Sequence, residues 1–159
     1  MSPTDPQPPA PQPQPWHAAY PAPNSTGGEI SRQEVLTLLR TVPPAQRDFV
    51  LVDLRRNDFE GGTIRGSINL PAQSLFPTLA ALYDLWRKAG VKKVIFYCGS
   101  SRGRGSRATG WLADHIAKEG DDAKMESLAL VGGIKGWAGA GGEYVEWMDE
   151  YDEKVWNKE

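Results

Sequence analysis

From residue 31 onward, apolar positions alternate between helix-spaced and continuous blocks. Val35, Leu36, Leu38 and Leu39 form one helical face over residues 31–41. Ser31 and Glu34 have the spacing of a capping box at its start, and Pro43-Pro44 ends it. Phe49-Val50-Leu51-Val52-Asp53 is an unbroken apolar run ending in an acid, which predicts a strand buried on both faces. A short strand is expected at residues 68–71, stopped by Pro71. A helix is expected over 74–88, with Leu75, Leu79, Leu82, Tyr83 and Trp86 on one side and Gly90 as its stop. Val94-Ile95-Phe96-Tyr97 predicts a second buried strand, residues 105–118 a helix, and residues 128–131 a further strand. Tyr144, Trp147, Met148 and Tyr151 fall at helical spacing in residues 143–156, predicting an aromatic helical segment packed on the sheet. Strands alternating with helices indicate an α/β fold with a mainly parallel central sheet flanked by helices.

The first residues follow another rule. Most of the thirteen prolines precede Asn24, so this stretch cannot bury enough apolar surface to offset its ordering entropy. Residues 1–28 are therefore expected to be a disordered, proline-rich leader with a flexible joint at 24–28, and residues 29–159 one domain. The leader's spacing would also suit a partner that reads proline-rich ligands. A net charge of −2 gives no general attraction to nucleic acid or an anionic membrane. No apolar run approaches the ~18 residues of a membrane span, and the start lacks the build of a secretory signal. The single cysteine excludes an internal disulfide and points to a reducing compartment, cytoplasm or nucleus.

That cysteine lies in the stretch richest in chemistry, Tyr97-Cys98-Gly99-Ser100-Ser101-Arg102-Gly103-Arg104-Gly105. A buried strand delivers Cys98 to its carboxyl end, where α/β proteins place ligand sites. The backbone N–H groups of Gly99, Ser100, Ser101, Arg102 and Gly103 can converge on an anion, helped by the amino end of the next helix. Arg104 adds a planar fork of donors for bidentate binding of an oxyanion. The same positive field favours the Cys98 thiolate, so the loop positions an anion and activates a nucleophile together. Dinucleotide and phosphate-loop spacings are missing. One cysteine with His17 and His115 far apart does not make a zinc site, and no metal is expected.

Leu51-Val52-Asp53-Leu54-Arg55, then residues 61–71 (Gly-Gly-Thr-Ile-Arg-Gly-Ser-Ile-Asn-Leu-Pro), resemble the opening signature of rhodanese domains. Leu130-Val131-Gly132-Gly133-Ile134-Lys135-Gly136-Trp137 resembles their closing one, so the likeness covers about residues 29–137. It implies the rhodanese-like fold. The seven-residue loop from Cys98 to Arg104 resembles the branch that holds the cell-cycle dual-specificity phosphatases and the eukaryotic thiol-dependent arsenate reductases; sulfurtransferases usually have a shorter loop. Carried onto this chain, the resemblance makes Cys98 the nucleophile, Arg104 the anion clamp, residues 99–104 the cradle, and Asp53 a supporting residue.

The chain departs from that branch in three ways. Tyr97 stands where a histidine is common, Arg102 and Gly103 fill the region where the phosphatases carry a glutamate, and there is no second, protecting cysteine. Lack of the loop acid weakens a phosphatase reading, because an alkoxide or phenolate leaving group benefits from protonation. Asp53, Asp58 and Glu60 are the nearby carboxyls that could replace it. The leading expectation is a thiol-dependent arsenate reductase. With one cysteine it would need glutathione and glutaredoxin as external reductant and would bind no cofactor. The alternative is a tyrosine or dual-specificity phosphatase. A sulfurtransferase or a non-catalytic scaffold ranks lower, since inactive rhodanese modules usually lose the cysteine.

Overall fold

The computed structural model describes residues 3–10, 13–120 and 124–157. Chain order runs β1 (Gly28–Ile30), α1 (Arg32–Thr41), β2 (Phe49–Asp53), β3 (Thr63–Ile64), β4 (Ile68–Asn69), α2 (Ala72–Lys88) and β5 (Lys93–Tyr97). It continues with α3 (Arg104–Glu119), β6 (Glu126–Leu130), α4 (Gly133–Gly139), α5 (Gly142–Glu146), β7 (Met148–Asp149) and α6 (Glu153–Trp156). Five strands form a parallel sheet in the order β1-β6-β5-β2-β4. The continuous apolar runs of β2 and β5 occupy adjacent inner positions, where both faces are covered.

Each face has its own core. Leu75, Leu79 and Tyr83 of α2 meet Ala108, Trp111 and Leu112 of α3 over Val52, Val94 and Phe96. On the other face Val35, Leu36 and Leu39 of α1 join Ile134 and Trp137 of α4 over Leu51 and Ile95. The side chain of Ser31 caps α1 as its spacing predicts: its Oγ accepts the Glu34 N–H at 3.1 Å. Parallel strands need crossovers, and the alternation of helix and strand provides them. Among the described residues no helix is long and apolar enough to cross a membrane.

Two expectations change. Order begins well before Ser31. Trp16 and Tyr20 pack on the core formed with α2 and α3, their rings 5.9 and 6.0 Å from that of Trp111. The Trp111 indole N–H donates to the Pro21 carbonyl at 2.8 Å, and the N–H groups of Asn24 and Ser25 both donate to the Asp114 carboxylate. The expected joint contributes instead to β1, in register with β6. Aromatic burial offsets ordering entropy that the prolines alone could not. The prolines from Pro3 to Pro9 are exposed, as are Pro13 and Pro15, and leader residues 1, 2, 11 and 12 lie outside the described residues.

The aromatic tail is also not one helix. It breaks into α5, β7 and α6, because β7 pairs antiparallel with β3, Ile64 opposite Met148. This pairing buries Met148, while Glu150 takes φ +56° and turns the chain. Tyr144, Trp147, Tyr151 and Trp156 still pack toward the sheet.

Candidate active site

Strand β5 ends at Tyr97, and α3 starts at Arg104, so residues 98–103 form the connecting loop. Gly103 precedes the helix and supplies no side-chain cap. The first-turn N–H groups have no carbonyl partner within an α-helix, and this end faces the loop with the positive side of the helix dipole.

The loop is braced from within. Ser101, in the left-handed region at φ +64°, donates its N–H to the Cys98 sulfur at 3.2 Å, and its Oγ accepts the Cys98 N–H at 3.4 Å. The Ser106 hydroxyl donates to the Ser101 carbonyl at 2.9 Å. Ser101 is thus a buried brace more than an outward-facing member of the cradle. The start of α4, beside the Gly132-Gly133 pair, braces the loop from behind. The N–H groups of Ile134 and Lys135 donate to the carbonyls of Cys98 and Gly99, both at 3.0 Å. Gly133 has φ +58°, and a Cβ there would fall 2.5 Å from both carbonyl oxygens, so only glycine fits this approach.

Cys98 is 3% exposed and lines a cavity of about 440 Å³ together with Gly99, Ser100, Gly103 and Arg104. Asp58, Gln73, Lys135 and Trp16 complete its wall. The Arg104 guanidinium holds both oxygens of Asp58, Nη1 to Oδ1 at 2.8 Å and Nη2 to Oδ2 at 2.5 Å. That hydrogen-bonded pair holds the Asp58 carboxyl down at about 2, against a smaller opposing push from burial. It also pushes Arg104 further toward its charged form, with desolvation opposing and the neighbouring Cys98 adding a smaller favourable effect.

Asp53 does not line the cavity. Fully buried, its carboxylate accepts from Arg55 Nη2 at 2.8 Å and from the Thr63 hydroxyl at 2.8 Å. Arg55 in turn donates to the carbonyls of Asp58, Glu60 and Gly62. Asp53 is therefore linked to the cavity through Arg55 and the loop that carries Asp58. The Tyr97 hydroxyl bonds Ser67 at 2.6 Å and Thr63 at 2.8 Å and accepts the Ile64 N–H, so this side chain faces away from the cavity. Burial, with Asp53 adding to it, pushes its phenol well above the usual range.

Arg102 is exposed and, with Arg107 and His17, lines an adjoining cavity that shares Trp16 and Gly103 with the first. His115 lies elsewhere, its ring 4.8 Å from that of Tyr83. Sequence reasoning singled out Cys98 and Arg104 and named Asp58 among three carboxyls. It missed Trp16, Gln73 and Lys135. The Gly-Gly-Ile-Lys run was a usable signal for Lys135; a tryptophan among prolines was a weaker one for Trp16.

Comparison with known proteins gives one family, one relative and two solved structures. The family model of the rhodanese-like domain matches residues 31–140. Arsenical-resistance protein 2 of Saccharomyces cerevisiae is 32% identical over 98 residues, which cover 58% of this chain and 75% of that protein. Among solved structures, Ygr203w, a yeast protein tyrosine phosphatase of the Rhodanese family, superimposes with a TM-score of 0.65 at 21% identity, covering 84% of this chain and 99% of that one. The As-Sb reductase from Leishmania major gives the same score and identity, covering 77% and 84%. At 21% identity the two structures establish a shared fold.

Proposed function

The chain belongs to the rhodanese-like domain family, and on that premise we propose that it is a thiol-dependent arsenate reductase in which Cys98 is the nucleophile. The observation that carries the reading is the shared cavity: Cys98 lies at its wall beside Arg104, under the amino end of α3. Similarity to Arsenical-resistance protein 2 supports arsenate as the oxyanion.

In this reading Arg104 and the loop N–H groups hold arsenate, and the Cys98 thiolate attacks arsenic. An S–As bond forms as one arsenate oxygen, protonated, leaves as water. An external thiolate then attacks the Cys98 sulfur; an S–S bond forms, the S–As bond breaks, and its electron pair stays on arsenic as arsenite. A second thiol opens the mixed disulfide and restores Cys98. The chain has one cysteine, so both thiols come from outside, and glutathione with glutaredoxin is the proposed supply. Donors aimed at the developing charge, together with positioning, account for the acceleration.

A phosphatase would share the first step. It must also protonate an ester oxygen as it leaves, and the carboxyl that lines the cavity, Asp58, is held ionised by Arg104. This favours the reductase, whose leaving group is water.

The test is NADPH-coupled arsenate reduction by purified protein with glutathione, glutaredoxin and glutathione reductase, run beside Cys98→Ser. Turnover that disappears in the variant is expected. A folded wild-type protein without turnover overturns the reading and puts the phosphatase first.

A further inference from the structure

The two terminal nitrogens of Arg104 are both engaged by the Asp58 carboxylate, although those nitrogens are the natural grip for an incoming oxyanion. Asp58 is half exposed at the rim of the Cys98 cavity, and its carboxylate there is itself a planar anion in the fork. We propose that Asp58 is a specificity-determining residue that admits oxyanions still carrying a hydroxyl and disfavours those carrying none. The inference rests on the reading of the Cys98–Arg104 loop as an oxyanion site.

The chemistry follows from what a carboxylate can do. An ionised carboxylate is an acceptor without a donor. Arsenate and inorganic phosphate retain at least one O–H near neutrality, so they can donate that hydrogen to Asp58 while their other oxygens accept from Arg104 and the loop. Sulfate and the dianion of a phosphate ester offer acceptor oxygens alone. Against Asp58 they set two like charges and two lone pairs face to face, which costs affinity. The depressed pKa of Asp58 keeps it in the acceptor state throughout the neutral range.

The surroundings fix this arrangement. Arg104 and Cys98 face Asp58 from the strand–helix connection, and Lys135 from α4 lines the same cavity. Glu60 follows on the same loop, and Arg55 ties the backbone carbonyls of Asp58 and Glu60 to the buried Asp53. Asp58 therefore sits on an anchored loop. Its charge is offset by Arg104 until an anion competes for the fork. This selectivity also bears on the choice of substrate class, since it favours free inorganic oxyanions over phosphoester dianions.

The lone cysteine gives a clean assay. Alkylation of Cys98 by iodoacetamide, a neutral reagent, is followed at pH 7 with increasing inorganic phosphate or sodium sulfate, each variant normalised to its own unprotected rate. Wild-type protein should be protected by phosphate at concentrations at least roughly tenfold below those of sulfate. Asp58→Asn should lose most of that gap, chiefly through about tenfold tighter sulfate binding, and Asp58→Glu should keep it. An unchanged phosphate-to-sulfate ratio in folded Asp58→Asn overturns the inference and leaves the oxyanion site intact. Wild-type protein that neither anion protects overturns the oxyanion site itself, and this inference with it.

Discussion

The Trp156 indole N–H donates to the Gly61 carbonyl at 2.8 Å, which ties the last helix of the chain to the loop that carries Asp58. The same carbonyl accepts the Asp152 N–H at 3.3 Å. Arg55 grips the loop from the buried side and α6 from the outer side, so a carboxylate 48% exposed is nonetheless presented from a fixed backbone. Replacing Trp156 by Ala should loosen the outer grip, lower stability by about 1–3 kcal/mol and raise the KM for arsenate more than it lowers kcat. Trp156→Phe, which keeps a ring and loses the N–H, should fall between. Steady-state kinetics with a thermal melt checks this; equal loss in kcat and kcat/KM would place the effect in chemistry instead.

Tyr97 ends the central strand β5, and its side chain holds the β3–β4 segment against the sheet. Its hydroxyl, on a buried ring, meets the partly buried Thr63 and Ser67 hydroxyls and the Ile64 N–H. Tyr97→Phe should leave these groups short of a partner and cost about 1–3 kcal/mol of stability, measured by urea unfolding. Since the ring does not line the Cys98 cavity, kcat at low temperature should change by less than about threefold.

The leader can be divided by what it touches. Residues 3–10 and 13 are exposed, and removing residues 1–13 should leave the melting temperature unchanged. Removing residues 1–25 strips Trp16 and Tyr20 from Trp111 and Phe76. That deletion should cost about 2–4 kcal/mol and open one wall of the Cys98 cavity. Calorimetry of the two truncations checks the division, and equal melting temperatures would refute it. A scaffold that bound its partner through the leader would lose binding with the first deletion alone.

Asp58 also makes an acid-range prediction. Its carboxyl is near 3.9 in an unfolded chain and is held at about 2 by Arg104 in the folded one. The pair thus stabilises the fold fully above pH ~4, and that contribution drains away as pH falls through about 2. The stability gap between wild type and Asp58→Asn should be flat from pH 5 to 7 and shrink between about 4 and 2. High salt should narrow it throughout, because the pair is half exposed. Denaturant titrations across this range test it. A gap that already changes between pH 5 and 7 would mean that another group is responsible.

Local features made part of this legible in the sequence. The apolar run of β2, the apolar run of β5 and the Gly/Ser/Arg stretch between Cys98 and Arg104 are contiguous, so pattern alone located strand, loop and helix start. The Arg104–Asp58 pair spans 46 residues, and nothing local marks Asp58 above Asp53 or Glu60. The tail misled because Tyr144, Trp147, Met148 and Tyr151 do have helical spacing. The backbone at Met148–Asp149 finds a better partner in β3, and tertiary pairing overrides the period. Proline content likewise hid two aromatic anchors, since composition averages over the residues that pack.

Gly105 tests whether the loop needs the shape it has. It lies in the first turn of α3, and a Cβ there would stand 2.9 Å from the Ser101 Cβ, 3.2 Å from its Oγ and 3.7 Å from the Cys98 sulfur. The Ser101 side chain is buried and hydrogen-bonded to Cys98, so it has little room to yield. Alanine ordinarily stabilises a helix relative to glycine by about 0.5–1 kcal/mol, and at this position the two effects oppose each other. Helix propensity acts on α3 as a whole, whereas the clash is borne by the Ser101 brace beside Cys98. Gly105→Ala should therefore fold with stability within about 1 kcal/mol of wild type and lose arsenate turnover by on the order of a hundredfold, as expected when a reacting group is displaced by about 1 Å. Circular dichroism melts and coupled kinetics on the same preparation separate the two. Full activity would show that the brace at Ser101 can shift without moving Cys98.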